Sequence, residues 1–124
     1  MRKIVVYMGD ERIYPMLVSS CKSLLYHTQV DRVVFLIDTP TFPLELPQNG
    51  IIQTLNVHDQ TIFRPHGPNY HAHYGYMTLM RAALSKLFPD EDTVLLLDPD
   101  TVVVDDISPI WSYDISDYYF AAVE

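Results

Sequence analysis

The sequence predicts an α/β fold built on an open, twisted, mostly parallel sheet flanked by helices. Three observations carry that prediction. Short runs rich in β-branched and aromatic residues alternate with stretches whose apolar residues recur at helical spacing, the pattern of a sheet covered by helices. A strand, a helix and a second strand fit within the first 38 residues, which makes a right-handed βαβ unit and hence a parallel pair. One run, Val94 to Leu97, is continuously apolar rather than alternating, as suits a strand buried on both faces, and it ends abruptly at Asp98 and Asp100.

Taken in order, Lys3 to Tyr7 is the first strand and Gly9-Asp10 closes it. Tyr14 to Tyr26 is a helix: Met16, Leu17, Cys21, Leu24 and Leu25 recur at its period, and Pro15 falls in the first turn, where its missing N–H costs no intrahelical bond. Arg32 to Ile37 is the second strand. Prolines at 40, 43 and 47 forbid regular structure between Asp38 and Gly50, after which Ile51 to Asn56 supplies a third, shorter strand. His58 to Asn69 is irregular. A second long helix is expected from about His71 to Phe88, with Met77, Leu79, Met80, Leu84 and Leu87 covering the sheet, and it leads into the Val94 run. Beyond Trp111, acidic and aromatic residues precede a last expected strand, Tyr119 to Val123. No repeat, linker or low-complexity segment interrupts the chain, so residues 1–124 read as one domain.

Composition excludes several functions. A chain of 124 residues that is 48% hydrophobic can bury a core without disulfides or a structural metal. Its formal charge of −8 argues against nonspecific binding to nucleic acid or to an anionic membrane, both of which select for Lys and Arg. The single cysteine, Cys21, lies among the helix's apolar positions and reads as a small buried hydrophobe in a reducing compartment. Arg2 and Lys3 precede an apolar run that Gly9-Asp10 ends too soon for a signal core or a bilayer span, so a cytoplasmic protein with no transmembrane segment is expected.

In an open parallel sheet, ligands bind beyond the carboxyl ends of the strands where strand order reverses. A 3-2-1-4 order would set the end of the first strand, with Asp10, beside the end of the Val94 strand, with Asp98 and Asp100. A crevice lined by those three carboxylates is the expected site. Two carboxylates separated by one residue face opposite ways on extended chain, but Pro99 favours a turn that would turn both toward one cation. Hard oxygen ligands suit Mg²⁺ or Mn²⁺ rather than zinc. The plainer alternative is a polar strand end where Asp starts a turn. His71-Ala72-His73 and His66 are weighed as metal ligands and read instead as capping or surface residues, and Asp105-Asp106 as a solvated turn.

At IVVYMGDERIYPMLVSSCKSLL and LLLDPDTVVVDDISPIW the chain resembles the nucleotide-sugar glycosyltransferases of the GT-A fold, specifically family 8, which includes glycogenin and the bacterial lipopolysaccharide galactosyltransferases. The first stretch resembles that family's opening strand, acidic turn and helix, and the second its Asp-x-Asp core. The resemblance implies a Rossmann-like GT-A fold and a UDP-sugar donor whose hexosyl group passes to a saccharide, lipopolysaccharide-type or other acceptor. It implies that Asp98 and Asp100 bind the cation, manganese by family preference, which bridges both phosphates, with Asp98 also near the ribose. Asp10 would contact the uracil side, with Met8 and Pro99 in the same nucleotide-binding set. Tyr14 resembles the family's base-stacking tyrosine, although it lies one residue further from the acidic turn. Counting back from Asp98 without a gap, Arg81 falls on the arginine of the family's Tyr-x-Arg-Leu motif, near the donor's phosphates and sugar, with Leu79 and Ala82 replacing that motif's tyrosine and leucine.

Family members normally continue well beyond this length, through a histidine metal ligand and the acceptor contacts. The chain therefore reads as a nucleotide-binding part, either an amino-terminal fragment or a reduced protein, lacking the acceptor half and with apolar surface that self-association or a partner would cover. Two other readings stand beside it. One is a non-catalytic module that binds a nucleotide or an oligomeric partner. The other is a haloacid-dehalogenase-like phosphatase, whose Asp-x-Asp motif would make Asp98 a nucleophile and Asp100 a general acid.

Overall fold

The computed structural model describes residues 1–47, 50–64, 66–68 and 75–123. Its frame is a four-stranded parallel sheet in the order β3-β2-β1-β4, formed by β1 (Ile4–Met8), β2 (Arg32–Ile37), β3 (Ile52–Asn56) and β4 (Leu95–Leu96). This is the predicted 3-2-1-4 order. Helix α1 (Tyr14–His27) joins β1 to β2, and α2 (Gly75–Leu79), a 3-10 turn over Met80–Ala83 and α3 (Leu84–Leu87) lie between β3 and β4.

Alternation along the two central strands divides the core into two layers. Val5, Tyr7, Val33, Phe35 and Ile37 point to one face, where α1 covers them with Tyr14, Leu17, Val18, Cys21 and Leu24. Val6, Met8, Val34 and Leu36 point to the other, under Met77, Met80, Ala83 and Phe88. Because both faces are covered, β1 and β2 read as unbroken apolar runs. The α1 residues recur three or four apart, so one stripe of the helix faces the sheet. Thr28 ends the helix by donating its N–H to the Leu24 carbonyl at 2.8 Å. Burial pushes the Cys21 thiol up to about 12, which fits a packing residue rather than a reactive one.

Three expectations differ from the structure. The long helix from His71 to Phe88 is not continuous: its first residues, 71–74, lie outside the described ones, and from Gly75 onward the chain is broken into α2, the 3-10 turn and α3. Gly75 has φ of 63°, which an α-helix running through that position cannot contain. The Val94 run contributes only Leu95 and Leu96 to the ladder, and both are half-buried, because β4 is an edge strand paired on one side with β1. Tyr119 to Val123 forms no strand. No described strand lies beside that segment to pair with it, and Tyr119, Phe120 and Val123 are exposed.

Candidate nucleotide-binding crevice

All four strands run parallel, so the residues that follow them gather at one edge of the sheet: Asp10 after β1, Asp38 after β2, Asp59 after β3 and Asp98 after β4. The β1/β4 register pairs Val6 with Leu96, and the Leu97 N–H extends it by donating to the Val6 carbonyl at 3.1 Å. Continued by two residues, that register brings Asp98 alongside Met8. The β1/β4 junction is the place where chain order reverses, the position at which open parallel sheets bind ligands.

Asp10 follows a tight exit from β1. A Cβ on Gly9 would lie 2.4 Å from the Ile13 side chain, which would have to move aside. The Asp10 carboxylate accepts the Arg12 N–H at 3.0 Å and so caps the 3-10 turn over Glu11–Ile13. It is also gripped by the Arg12 guanidinium, with Nε at 3.0 Å and Nη2 at 2.5 Å from Oδ2. The hydrogen bond from that guanidinium holds the carboxyl below the usual aspartate range.

Asp98, Pro99, Asp100 and Thr101 form the turn beyond β4, with Pro99 and Asp100 at its centre. Proline presets the first central φ of such a turn. The Thr101 hydroxyl donates to the Asp98 carbonyl at 2.7 Å. Arg81, from the 3-10 turn between α2 and α3, donates through Nη2 to Asp98 Oδ1 at 2.8 Å, and both side chains are about half exposed (51% and 52%). Asp100 is exposed as well. Two exposed carboxylates suit a hard cation, but no third His, Cys, Asp or Glu joins them in a cluster among the described residues. Any cation held here takes the rest of its shell from ligand oxygens or water. His71 and His73 lie outside the described residues.

Two residues expected at the nucleotide are placed differently. Tyr14 is 1% exposed. Its ring centroid is 4.9 Å from that of Phe42, and its hydroxyl donates to Asp38 Oδ1 at 3.0 Å and bonds Thr39 Oγ1 at 2.9 Å. A covered ring offers no face to a base; this one instead ties the end of β2 to α1. Its place on the buried stripe, three residues before Leu17 and seven before Cys21, is the reason. Met8 is buried in the second core layer, which leaves its backbone at the crevice rather than its side chain.

Tyr76 is the residue that sequence reasoning passed over. Its ring packs on the second core layer, and its hydroxyl is buried with no hydrogen-bond partner among the described residues. Burial, reinforced by repulsion from Asp38, Tyr14, Asp10 and Asp59, pushes the phenol up to about 12. No sequence signal marks it, because a tyrosine at this spacing reads as ordinary helix cover.

A parallel sheet in this order, with an acidic turn after β1 and a second acidic turn at the adjacent strand end, defines a Rossmann-like α/β domain. The chain belongs to glycosyl transferase family 8, whose model matches residues 4–124. Solved structures of the galactosyltransferase LgtC share its fold. An active-site mutant of LgtC superposes with a TM-score of 0.64 at 23% identity, over 92% of this chain and 43% of that one. LgtC in complex with donor and acceptor sugar analogs gives 0.62 at 22% identity, over 90% and 42%. The chain thus spans less than half the length of these relatives. No curated protein sequence matches it. Family membership sets aside the phosphatase reading, and Asp98 follows the last strand of this sheet, whereas the phosphatase motif ends the first.

Proposed function

We propose that this chain is the donor-binding part of a metal-dependent hexosyltransferase, which holds a UDP-sugar at the β1/β4 junction. The observation that carries the reading is the pairing of Arg81 with Asp98 at the end of β4, next to the end of β1, where this fold takes its ligands. In this reading Asp98 and Asp100 hold Mn²⁺ or Mg²⁺, Asp10 accepts from the nucleobase, and the Met8 backbone and Pro99 line the crevice. Arg81 uses one Nη on Asp98 and keeps other guanidinium N–H groups for the phosphate oxygens. When bound, the divalent ion supplies Lewis-acid stabilisation of the charge left on the diphosphate as the sugar departs.

Arg12 sets a condition on base recognition: the base must be read by a carboxylate already tied to a guanidinium, so Asp10 is ionised when it accepts. The acceptor half of the site has no residues assigned to it here. Catalysis gains ~7–11 kcal/mol from holding donor and acceptor in near-attack geometry, so transfer by these residues alone is expected to be slow, with attack by water the most that remains. No described helix is long and apolar enough to cross a bilayer.

Turnover measurements test the class. UDP-glucose or UDP-galactose should be hydrolysed slowly and in a metal-dependent way. para-Nitrophenyl phosphate should not be hydrolysed at all. Release of phosphate from that ester, abolished by Asp98→Asn, would overturn the reading; binding of UDP with no turnover of either sugar would leave a nucleotide-binding module in its place.

A further inference from the structure

The turn that carries Asp98 and Asp100 is fastened to the core by hydroxyl groups of α1. Ser20 is 1% exposed, and a buried hydroxyl in a helix is costly unless it is bonded. Its single Oγ proton serves two acceptors, the Tyr7 hydroxyl of β1 at 2.9 Å and the Thr101 hydroxyl at 3.0 Å. Thr101 in turn donates to the Asp98 carbonyl at 2.7 Å. A line of hydroxyls within hydrogen-bond distance thus runs from the central strand, through one helix residue that shares its proton, to the backbone of the first carboxylate. Further along the same segment, Thr28 Oγ1 accepts the Ile107 N–H at 3.0 Å. That bond is also a tether, from the residue that ends α1, but it lies beyond the turn and touches neither Asp98 nor Thr101.

We propose that Ser20 and Thr101 are positioning residues that set the Asp98-Pro99-Asp100 turn for its cation, an inference that rests on the metal reading above. The physical reason is that carboxylate ligands must be held to within about 0.5 Å of a productive geometry, and a turn on an edge strand two residues long has little ladder to hold it. Thr101 fixes the Asp98 carbonyl and with it the direction in which the Asp98 side chain leaves the backbone. Ser20 fixes Thr101 against Tyr7, itself fully buried in the first core layer.

The test is Mn²⁺ binding in the presence of UDP, followed by electron paramagnetic resonance, with melting temperature read on the same samples. Thr101→Val, which keeps the shape and removes the hydroxyl, and Ser20→Ala should each weaken Mn²⁺ binding by roughly tenfold or more, the usual scale for groups that orient a metal ligand. Thr101→Ser should restore it. Thr28→Val, the matched tether beyond the turn, should lower the melting temperature and leave Mn²⁺ affinity at the wild-type value. If Thr101→Val and Ser20→Ala bind Mn²⁺ as wild type does, or if Thr28→Val weakens it as much as they do, the positioning role is wrong. If Thr101→Val does not fold, the Ser20→Ala comparison decides alone. Absence of Mn²⁺ binding by the wild-type protein with UDP would instead refute the metal reading and this inference with it.

Discussion

Asp10, Asp98 and Asp100 show how differently three acidic residues can stand at one edge of a sheet. Asp100 is exposed, Asp98 is paired with an exposed arginine, and Asp10 both caps a turn and holds a guanidinium. The Asp10 pair has a testable pH signature. Because its carboxyl is held below its unfolded value, the pair contributes stability that is fully present above the ordinary aspartate range and is lost as pH falls through the lowered value. Arg12→Ala should raise the Asp10 pKa back toward the ordinary value, as read by carboxyl-carbon NMR titration. An unchanged titration would mean that the guanidinium is not the cause. These carboxylates were legible because each is an acidic residue placed just after an apolar run, which periodicity alone can find. Tyr14 and Tyr76 were not, because an aromatic ring fits both a core stripe and a binding face, and only packing decides between them.

Among the elements, β1, α1, β2 and β3 were readable nearly to the residue, since each is closed by its own local signal, and β1, α1 and β2 are covered on the faces their patterns specify. The region before β4 was not. Met77, Met80, Leu84 and Leu87 recur at helical spacing, yet the backbone that carries them changes from α to 3-10 and back. That spacing reports which residues face the sheet and says little about the exact winding. Gly75 was the available signal, a residue with open space around its missing Cβ whose φ of 63° nevertheless demands glycine. Gly75→Ala should therefore destabilise the protein by about 1–2 kcal/mol with no steric clash to explain it, measurable by urea unfolding. A substitution without cost would show that this turn does not need its left-handed residue. The expected strand from Tyr119 to Val123 failed for a different reason: β-propensity is fit to a half-buried surface, and no described strand or helix provides one there.

For the molecule as a whole, the sheet order matters more than any single residue. It brings the acidic turn after β1 and the acidic turn after β4 together although 88 positions separate Asp10 from Asp98 in the sequence. The chain covers less than half of the solved galactosyltransferases that share its fold. In the function proposed above, the β1/β4 junction holds a nucleotide diphosphate through a cation. Calorimetric titration of Mn²⁺, with and without UDP, into the wild-type protein and into one carrying Asp98→Asn and Asp100→Asn tests it most directly. The wild-type protein should bind Mn²⁺ weakly alone and more tightly with UDP, whose phosphates complete the coordination shell, and the double variant should lose that binding. Mn²⁺ affinity that is the same in the wild-type and doubly substituted proteins would contradict it.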